Sequence, residues 1–186
     1  KSKVINPEIK AGIIKLPSIS NFSDFDPLES DQSILIKWIK QTQKLNKFDF
    51  IILPGSKQTI RDQIFLDESG LSKDIKKFAE NNGNIFGVCG GMQMLGTTLE
   101  DPYFKESSDL KIGGSIKGIG LLPLKTIFKK AKKTRQVTSE SIWPCSSKIN
   151  GFEIHNGITT LDSFKSSLKI KPIFKDIDLG WYLEND

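Results

Sequence analysis

Residues 84–96 read Asn84-Ile85-Phe86-Gly87-Val88-Cys89-Gly90-Gly91-Met92-Gln93-Met94-Leu95-Gly96. An apolar, strand-like run ends at Val88, and good helix formers begin at Met92. Between them stands a cysteine flanked by glycines. A strand that turns sharply into a helix needs glycines where a β-carbon would clash, and the residue at the apex then projects from the carboxyl edge of a sheet. The start of the following helix offers unpaired N–H groups and a positive dipole end, both of which favour a thiolate. A thiolate attacks carbonyl carbon. A solitary cysteine is ordinarily a small packed residue. The glycines on both sides, followed by Gly-x-Gln, make Cys89 a candidate nucleophile instead.

The regions outward from this elbow alternate. Lys10 to Leu16 reads as a strand stopped by Pro17, and Phe48 to Leu53 as a buried strand stopped by Pro54-Gly55-Ser56. Ser18 to Leu28 is turn-rich but carries aromatic residues, as a loop with its own packing does. Asp31 to Asn46 places Ile34, Leu35, Trp38, Ile39 and Leu45 at mixed helical spacing. Lys57 to Phe65 and, more clearly, Leu71 to Asn82 read as helices, the second ending at Gly83. Strands alternating with helices predict an α/β fold: a mostly parallel central sheet with helices on both faces. After the elbow, Thr97 to Gly120 is loop-like, with Gly113-Gly114 and Gly118-x-Gly120. Leu121 to Phe128, Arg135 to Thr138, Ile149 to His155 and Ile158 to Leu161 read as later strands, antiparallel additions to the first half.

Composition sets limits on function. The 186 residues suffice for a sizeable core, with 37% apolar and 26% charged residues. No apolar run approaches the ~18 residues that span a bilayer. Two cysteines, Cys89 and Cys145, make no disulfide framework, so a reducing, cytoplasmic compartment is expected. The net charge is +5, and the cations cluster only at Lys129, Lys130, Lys132, Lys133 and Arg135. A base-stacking surface interleaves aromatics with such charges, and only Phe128 adjoins them. The cluster reads as a solvated face or a site for an acidic partner, not for nucleic acid. No cluster of metal-ligand spacing is present.

Three further segments bear on Cys89. Pro54-Gly55-Ser56 ends a strand expected beside the Cys89 strand, and a loop there can aim a backbone N–H where the N–H of Gly90 also points. Two such donors form an oxyanion hole for a tetrahedral intermediate. Gln93 lies one helical turn beyond Cys89, where its amide can face a substrate. With Ser56 it is a candidate substrate-binding residue. His155 is the only histidine. On a strand it shares a polar face with Glu153, while Phe152 and Ile154 share the opposite, buried one. It is a candidate base for Cys89, and a structural histidine on the other reading.

The chain resembles the glutamine amidotransferase domain of the cobyric acid synthase family from about Lys10 onward. The elbow by itself marks only class I amidotransferases. The resemblance narrows through Leu16-Pro17-Ser18-Ile19-Ser20-Asn21-Phe22-Ser23-Asp24-Phe25-Asp26-Pro27-Leu28, Leu53-Pro54-Gly55-Ser56-Lys57-Gln58-Thr59-Ile60 and Gly151-Phe152-Glu153-Ile154-His155-Asn156-Gly157. It implies the flavodoxin-like fold of that class and a Cys89 nucleophile that releases ammonia from glutamine. Gly55 and Gly90 match oxyanion-hole positions, and Gln93 a position near bound glutamine. It also implies a partner: an ATP-dependent synthetase domain on the same polypeptide, which holds ATP and magnesium and amidates the corrinoid adenosylcobyrinic acid a,c-diamide. This domain needs no cofactor of its own.

Two features depart from the family pattern. No Gly-x-x-x-x-Gly-Lys-Ser/Thr phosphate loop occurs in the chain. The family's histidine lies in a Tyr-Leu-His-Gly-type motif, where this chain reads Tyr182-Leu183-Glu184-Asn185-Asp186. Either the chain stops short of that motif or Tyr182-Leu183-Glu184 is its remnant. Residues 1–9 are expected to be a linker from a preceding domain, and residues 10–186 an amidotransferase domain truncated at its C-terminus. Two other functions compete: a docking module without turnover, and an amidotransferase acting on lipid II of the cell wall. The segment from Asn21 to Pro27 argues against the latter.

Overall fold

The computed structural model describes residues 7–108, 114–162, 169–176 and 178–184. Most of the expected linker, together with Gly113, Asn185 and Asp186, lies outside the described residues. The chain divides into two compact units, Lys1–Leu95 and Gly96–Asp186.

The first unit is a four-stranded sheet whose every pairing is parallel: β1 (Ile9–Ile14), β2 (Ile34–Ile39), β3 (Phe50–Leu53) and β4 (Asn84–Gly87), in the order β2-β1-β3-β4. A short helix, α1 (Asp26–Ser30), lies between β1 and β2. Helices α2 (Thr59–Glu68) and α3 (Leu71–Glu80) lie between β3 and β4, and α4 (Gly90–Leu95) follows β4. Chain direction across the sheet reverses between β1 and β3, so their carboxyl ends flank the topological switch point where open α/β sheets bind ligands. The core is aliphatic. Ile13, Ile14, Ile51 and Leu53 from the strands and Ile60, Leu66, Leu71 and Ile75 from the helices are buried. Burying a side chain of this size contributes about 1.5–3 kcal/mol.

The helical spacing over Asp31 to Asn46 does not produce a helix. Asp31 caps a turn, accepting hydrogen bonds from the Ser33 N–H at 2.8 Å and the Ser33 hydroxyl at 2.6 Å. Ile34 to Ile39 then runs parallel to β1. A run of β-branched and aromatic residues fits a pleated surface, and pairing with β1 overrides a weak 3.6-residue periodicity. Trp38 anchors this edge. Phe22 and Phe25 pack on its ring at 5.3 and 5.7 Å between centroids, and its indole N–H donates to Glu29.

The second unit carries a four-stranded sheet in the order β6-β5-β7-β8. Its members are β5 (Thr98–Glu100), β6 (Ser115–Lys117), β7 (Leu124–Ser141) and β8 (Ser147–Leu161). Strand β5 is parallel to β7 and the other pairings are antiparallel, so the antiparallel additions expected of the second half include one parallel pair. Strands β9 (Ile170–Pro172) and β10 (Trp181–Leu183) form a separate antiparallel pair.

Two expectations are corrected here. Thr97 to Gly120 holds two short strands, β5 and β6, rather than loop alone. The strands expected separately from Leu121 to Thr138 and from Ile149 to Leu161 are one long hairpin. Its register shifts between Phe128 and Lys133, where the basic run interrupts regular pairing. A third correction concerns β8. Phe152 and Ile154 share a face, but that face is exposed, with Phe152 at 72%.

Candidate functional site

The elbow forms at the carboxyl end of β4. Val88 N–H donates to the Leu53 carbonyl at 3.0 Å, extending the β3–β4 pairing by one residue. The chain then reverses: Gly91 N–H reaches back to the Val88 carbonyl at 2.8 Å, and Gln93 N–H to the Cys89 carbonyl at 3.1 Å. The positive φ of this turn falls on Cys89 itself, at 49°. A side-chain-bearing residue in the left-handed region costs roughly 1–2 kcal/mol. The strain holds an exposed cysteine at the apex. Gly91 makes the turn possible, because a β-carbon there would lie 1.9 Å from the Leu53 carbonyl oxygen.

Beside Cys89 lies the loop after β3. A β-carbon on Gly55 would stand 3.8 Å from Cys89 Cβ and 2.5 Å from Ser20 Oγ, so a side chain there would displace the Ser20 hydroxyl. A β-carbon on Gly90 would lie 3.0 Å from both the Ser56 backbone nitrogen and Thr59 Oγ1. Gly55, Ser56, Cys89 and Gly90 therefore occupy one small region at the carboxyl edge of the sheet. Gly90 is the first residue of α4, so its N–H has no acceptor within the helix. Gln93 is 5% exposed and packed within the unit, with Met94 and Leu95 in the core beside it.

A second loop joins this region. Ile19 forms an antiparallel bridge with Ser56. Ser20 N–H donates to the Gly55 carbonyl and Lys57 N–H to the Ser18 carbonyl, each at 2.8 Å. The loops after β1 and β3 thus make a miniature ladder across the switch point. Asp62 braces both: it accepts from Ser56 Oγ at 2.6 Å and from the Ser18 N–H at 3.1 Å, and is fully buried. Burial raises its carboxyl above the usual range, and the hydrogen bonds from Ser56 and Ser18 oppose that rise.

Ser18, Ser20 and Asp62 were missed by sequence reasoning. Asp62 sits in the first turn of α2, where an acid is ordinary helix chemistry, and its two partners lie 6 and 44 residues away. The one signal was that the turn-rich segment Ser18 to Leu28 carries aromatic residues, as a loop with its own packing does.

His155 lies in the second unit, on β8. Its Nε2 lies 2.7 Å from Glu153 Oε1 and its Nδ1 2.5 Å from the Gly157 carbonyl oxygen. Glu153 also accepts from Lys133 Nζ at 2.6 Å and from Arg135. Burial raises the Glu153 carboxyl, but the bonds from Lys133, His155 and Arg135 outweigh it and hold the group down at about 2. The shared polar face expected of Glu153 and His155 is a charge network, in which both ring nitrogens have partners. Two members of the basic run, Lys133 and Arg135, are paired here rather than simply solvated. Among the described residues no group of three or more potential ligands is placed to hold a metal ion. No helix is long and apolar enough to cross a membrane among them.

Cys89 thus stands exposed and strained between strand and helix, with the glycine-bearing loop after β3 against it. The model of the CobB/CobQ-like glutamine amidotransferase domain matches residues 10–182. The chain belongs to that family. Among curated relatives of this CobB/CobQ-like domain, the cobyric acid synthase of Prochlorococcus marinus strain MIT 9301 is 70% identical over 186 residues, and that of strain MIT 9515 is 72% identical. The one from strain NATL2A is 50% identical over 177 residues. In the first two the match takes in the whole chain but 36% of the relative. For NATL2A it takes in 95% of the chain and 35% of the relative.

Solved structures agree on the fold. A crystal structure of a glutamine amidotransferase superposes with a TM-score of 0.64 at 18% identity, over 91% of this chain and 81% of that one. PurLQS from Thermotoga maritima gives 0.63 at 16%, over 94% and 78%. The architecture is the flavodoxin-like α/β fold of class I glutamine amidotransferases, as the resemblance implies.

Proposed function

We propose that this chain is the glutaminase part of a cobyric acid synthase. In this reading the Cys89 thiolate attacks the side-chain carbonyl carbon of glutamine. The N–H groups of Gly55 and Gly90 receive the developing oxyanion. Collapse breaks the C–N bond, and the leaving nitrogen takes a proton and departs as ammonia. Water then cleaves the glutamyl thioester, releasing glutamate and restoring the thiol. Ser56 and Gln93 border the glutamine site. The ammonia passes to an ATP-dependent synthetase portion of the same polypeptide, where ATP and magnesium act and peripheral carboxylates of adenosylcobyrinic acid a,c-diamide become amides.

The observation that carries this reading is the strained Cys89 apex with Gly55 and Gly90 beside it. Cysteine chemistry at such a turn suits acyl transfer. The relatives bearing the name cobyric acid synthase support the synthetase partner and the corrinoid.

One observation favours the docking-module reading. His155 is engaged at both ring nitrogens, by Glu153 and Gly157, so it is not poised as a free base. The test uses the full-length polypeptide with ATP, magnesium, corrinoid and amide-¹⁵N glutamine. The enzymatic reading expects ¹⁵N in the corrinoid amides with the parent. A Cys89→Ala variant should lose glutamine-dependent transfer while keeping transfer from free ammonia. Equal transfer from glutamine by parent and variant would refute the role of Cys89.

A further inference from the structure

We propose that Asp62 is a positioning residue for acyl transfer: its carboxylate holds the loops after β1 and β3 in fixed register against Cys89. The proposal rests on the glutaminase reading above and adds a residue that does not touch the substrate.

Asp62 joins the two loops at their bases. One oxygen takes the Ser56 hydroxyl and the other the Ser18 N–H. Ser56 Oγ in turn accepts from the Gln58 N–H at 2.9 Å, tying the loop to the start of α2. Ser18 and Ser56 lie on the two strands of the miniature ladder that carries Ser20 and Gly55. Gly55 is the residue whose backbone passes beside Cys89. A displaced ladder would therefore misdirect the Gly55 N–H, while leaving the thiol and the α4 N-terminus in place. Oxyanion donors act through placement, and loss of one costs about 10²–10³-fold in turnover. A shift of a supporting group costs part of that.

The chemistry of the site matches such a role better than a purely structural one. A fully buried carboxylate whose pKa burial has raised opposes folding at neutral pH, so a neutral side chain of the same shape would serve stability at least as well. Only a two-oxygen acceptor takes donors from both loops at once. Asn at 62 accepts from one and must donate to the other, which reverses the Ser56 bond without removing it.

The experiment measures glutamate release by the full-length polypeptide carrying Asp62→Ala, Asp62→Asn or Ser56→Ala. The alkylation rate of Cys89 by iodoacetamide and the melting temperature are measured alongside. Alkylation needs the nucleophile but no oxyanion hole. Expected for Asp62→Ala is a fall in kcat of about 30-fold, with KM within about threefold. Alkylation should stay within about threefold of the parent. Asp62→Asn should recover most of the lost turnover without a lower melting temperature. Ser56→Ala should lower kcat at least about fivefold with KM within about threefold, as loss of the brace rather than of a glutamine contact does, and Asp62→Ala/Ser56→Ala should be no worse than Asp62→Ala, because both remove the same brace.

A folded Asp62→Ala with parental kcat overturns the proposal, as does a parallel loss of alkylation and turnover. Should Asp62→Ala not fold, the outcome rests on Ser56→Ala, whose parental turnover overturns it equally. A parent polypeptide without Cys89-dependent glutamate release would instead defeat the glutaminase reading, and this proposal with it.

Discussion

Gly91 rides directly over the carbonyl of Leu53, so close that a β-carbon would stand 1.9 Å from its oxygen. The contact locks α4 onto the end of β3, and neither partner is a flexible side chain that can yield. Gly91→Ala is expected to destabilise the protein by about 3 kcal/mol, as overpacking against backbone does. Gly151→Ala is the control, because nothing lies within 4 Å of a β-carbon there. It should change stability by under about 0.5 kcal/mol. Thermal unfolding of the two variants checks the difference.

The left-handed backbone at Cys89 has its own signature. Replacement by Ala keeps the strain, and replacement by Gly relieves it. Cys89→Gly should be more stable than Cys89→Ala by about 0.5–1 kcal/mol, once the extra freedom of glycine in the unfolded chain is allowed for. Both variants should lack glutaminase activity. Denaturant melts of the pair read the first expectation, and the opposite order of stability would mean that the apex is not strained.

How much of this was legible in the sequence follows from the range of each interaction. The elbow was readable because its causes are local: Val88, Cys89, Gly90 and Gly91 adjoin one another. The Pro54-Gly55-Ser56 loop was readable because a strand ends there, and the neighbouring strand could be anticipated. Strand β2 was not, since Ile34 to Ile39 owes its conformation to pairing with β1 rather than to its own spacing. The Asp62 brace was hidden for the same reason, because Ser18 reaches it from 44 residues away. Phe152 and Ile154 show the limit of alternation. A strand pattern says which residues share a face, but not whether anything covers it.

The charge network in the second unit predicts a pH dependence. Glu153 titrates at about 2 in the folded protein, against an ordinary 4.5. A depressed carboxylate contributes stability that is present above its unfolded value and lost as pH falls through the folded one. Glu153→Gln should therefore cost stability at pH 7, by about 1 kcal/mol after allowing for solvent screening at Lys133 and Arg135. The gap between parent and variant should narrow below about pH 4.5 and close near pH 2. Urea unfolding at pH 7, 4 and 2.5 tests this, and a gap independent of pH would contradict it.

His155 yields a sharper test of mechanism. Ammonia leaves a tetrahedral intermediate slowly without a positioned acid, and such help is worth about 10²–10⁴-fold. With both ring nitrogens of His155 engaged in its own unit, the 186-residue chain by itself is expected to hydrolyse glutamine poorly. Glutamate release by the chain and by His155→Ala should be similarly low. Robust release by the parent, abolished in His155→Ala, would identify His155 as the base.

In the proposed reaction Cys89 is the thiol that attacks glutamine. The most direct measurement treats the full-length polypeptide with 6-diazo-5-oxonorleucine, a glutamine analogue carrying an electrophile, and maps the modified peptide by mass spectrometry. Cys89 and Cys145 are both exposed, so accessibility does not decide between them. A single adduct on Cys89, prevented by excess glutamine, is expected. Modification confined to Cys145, or adducts on Cys89 that glutamine does not prevent, would contradict that role.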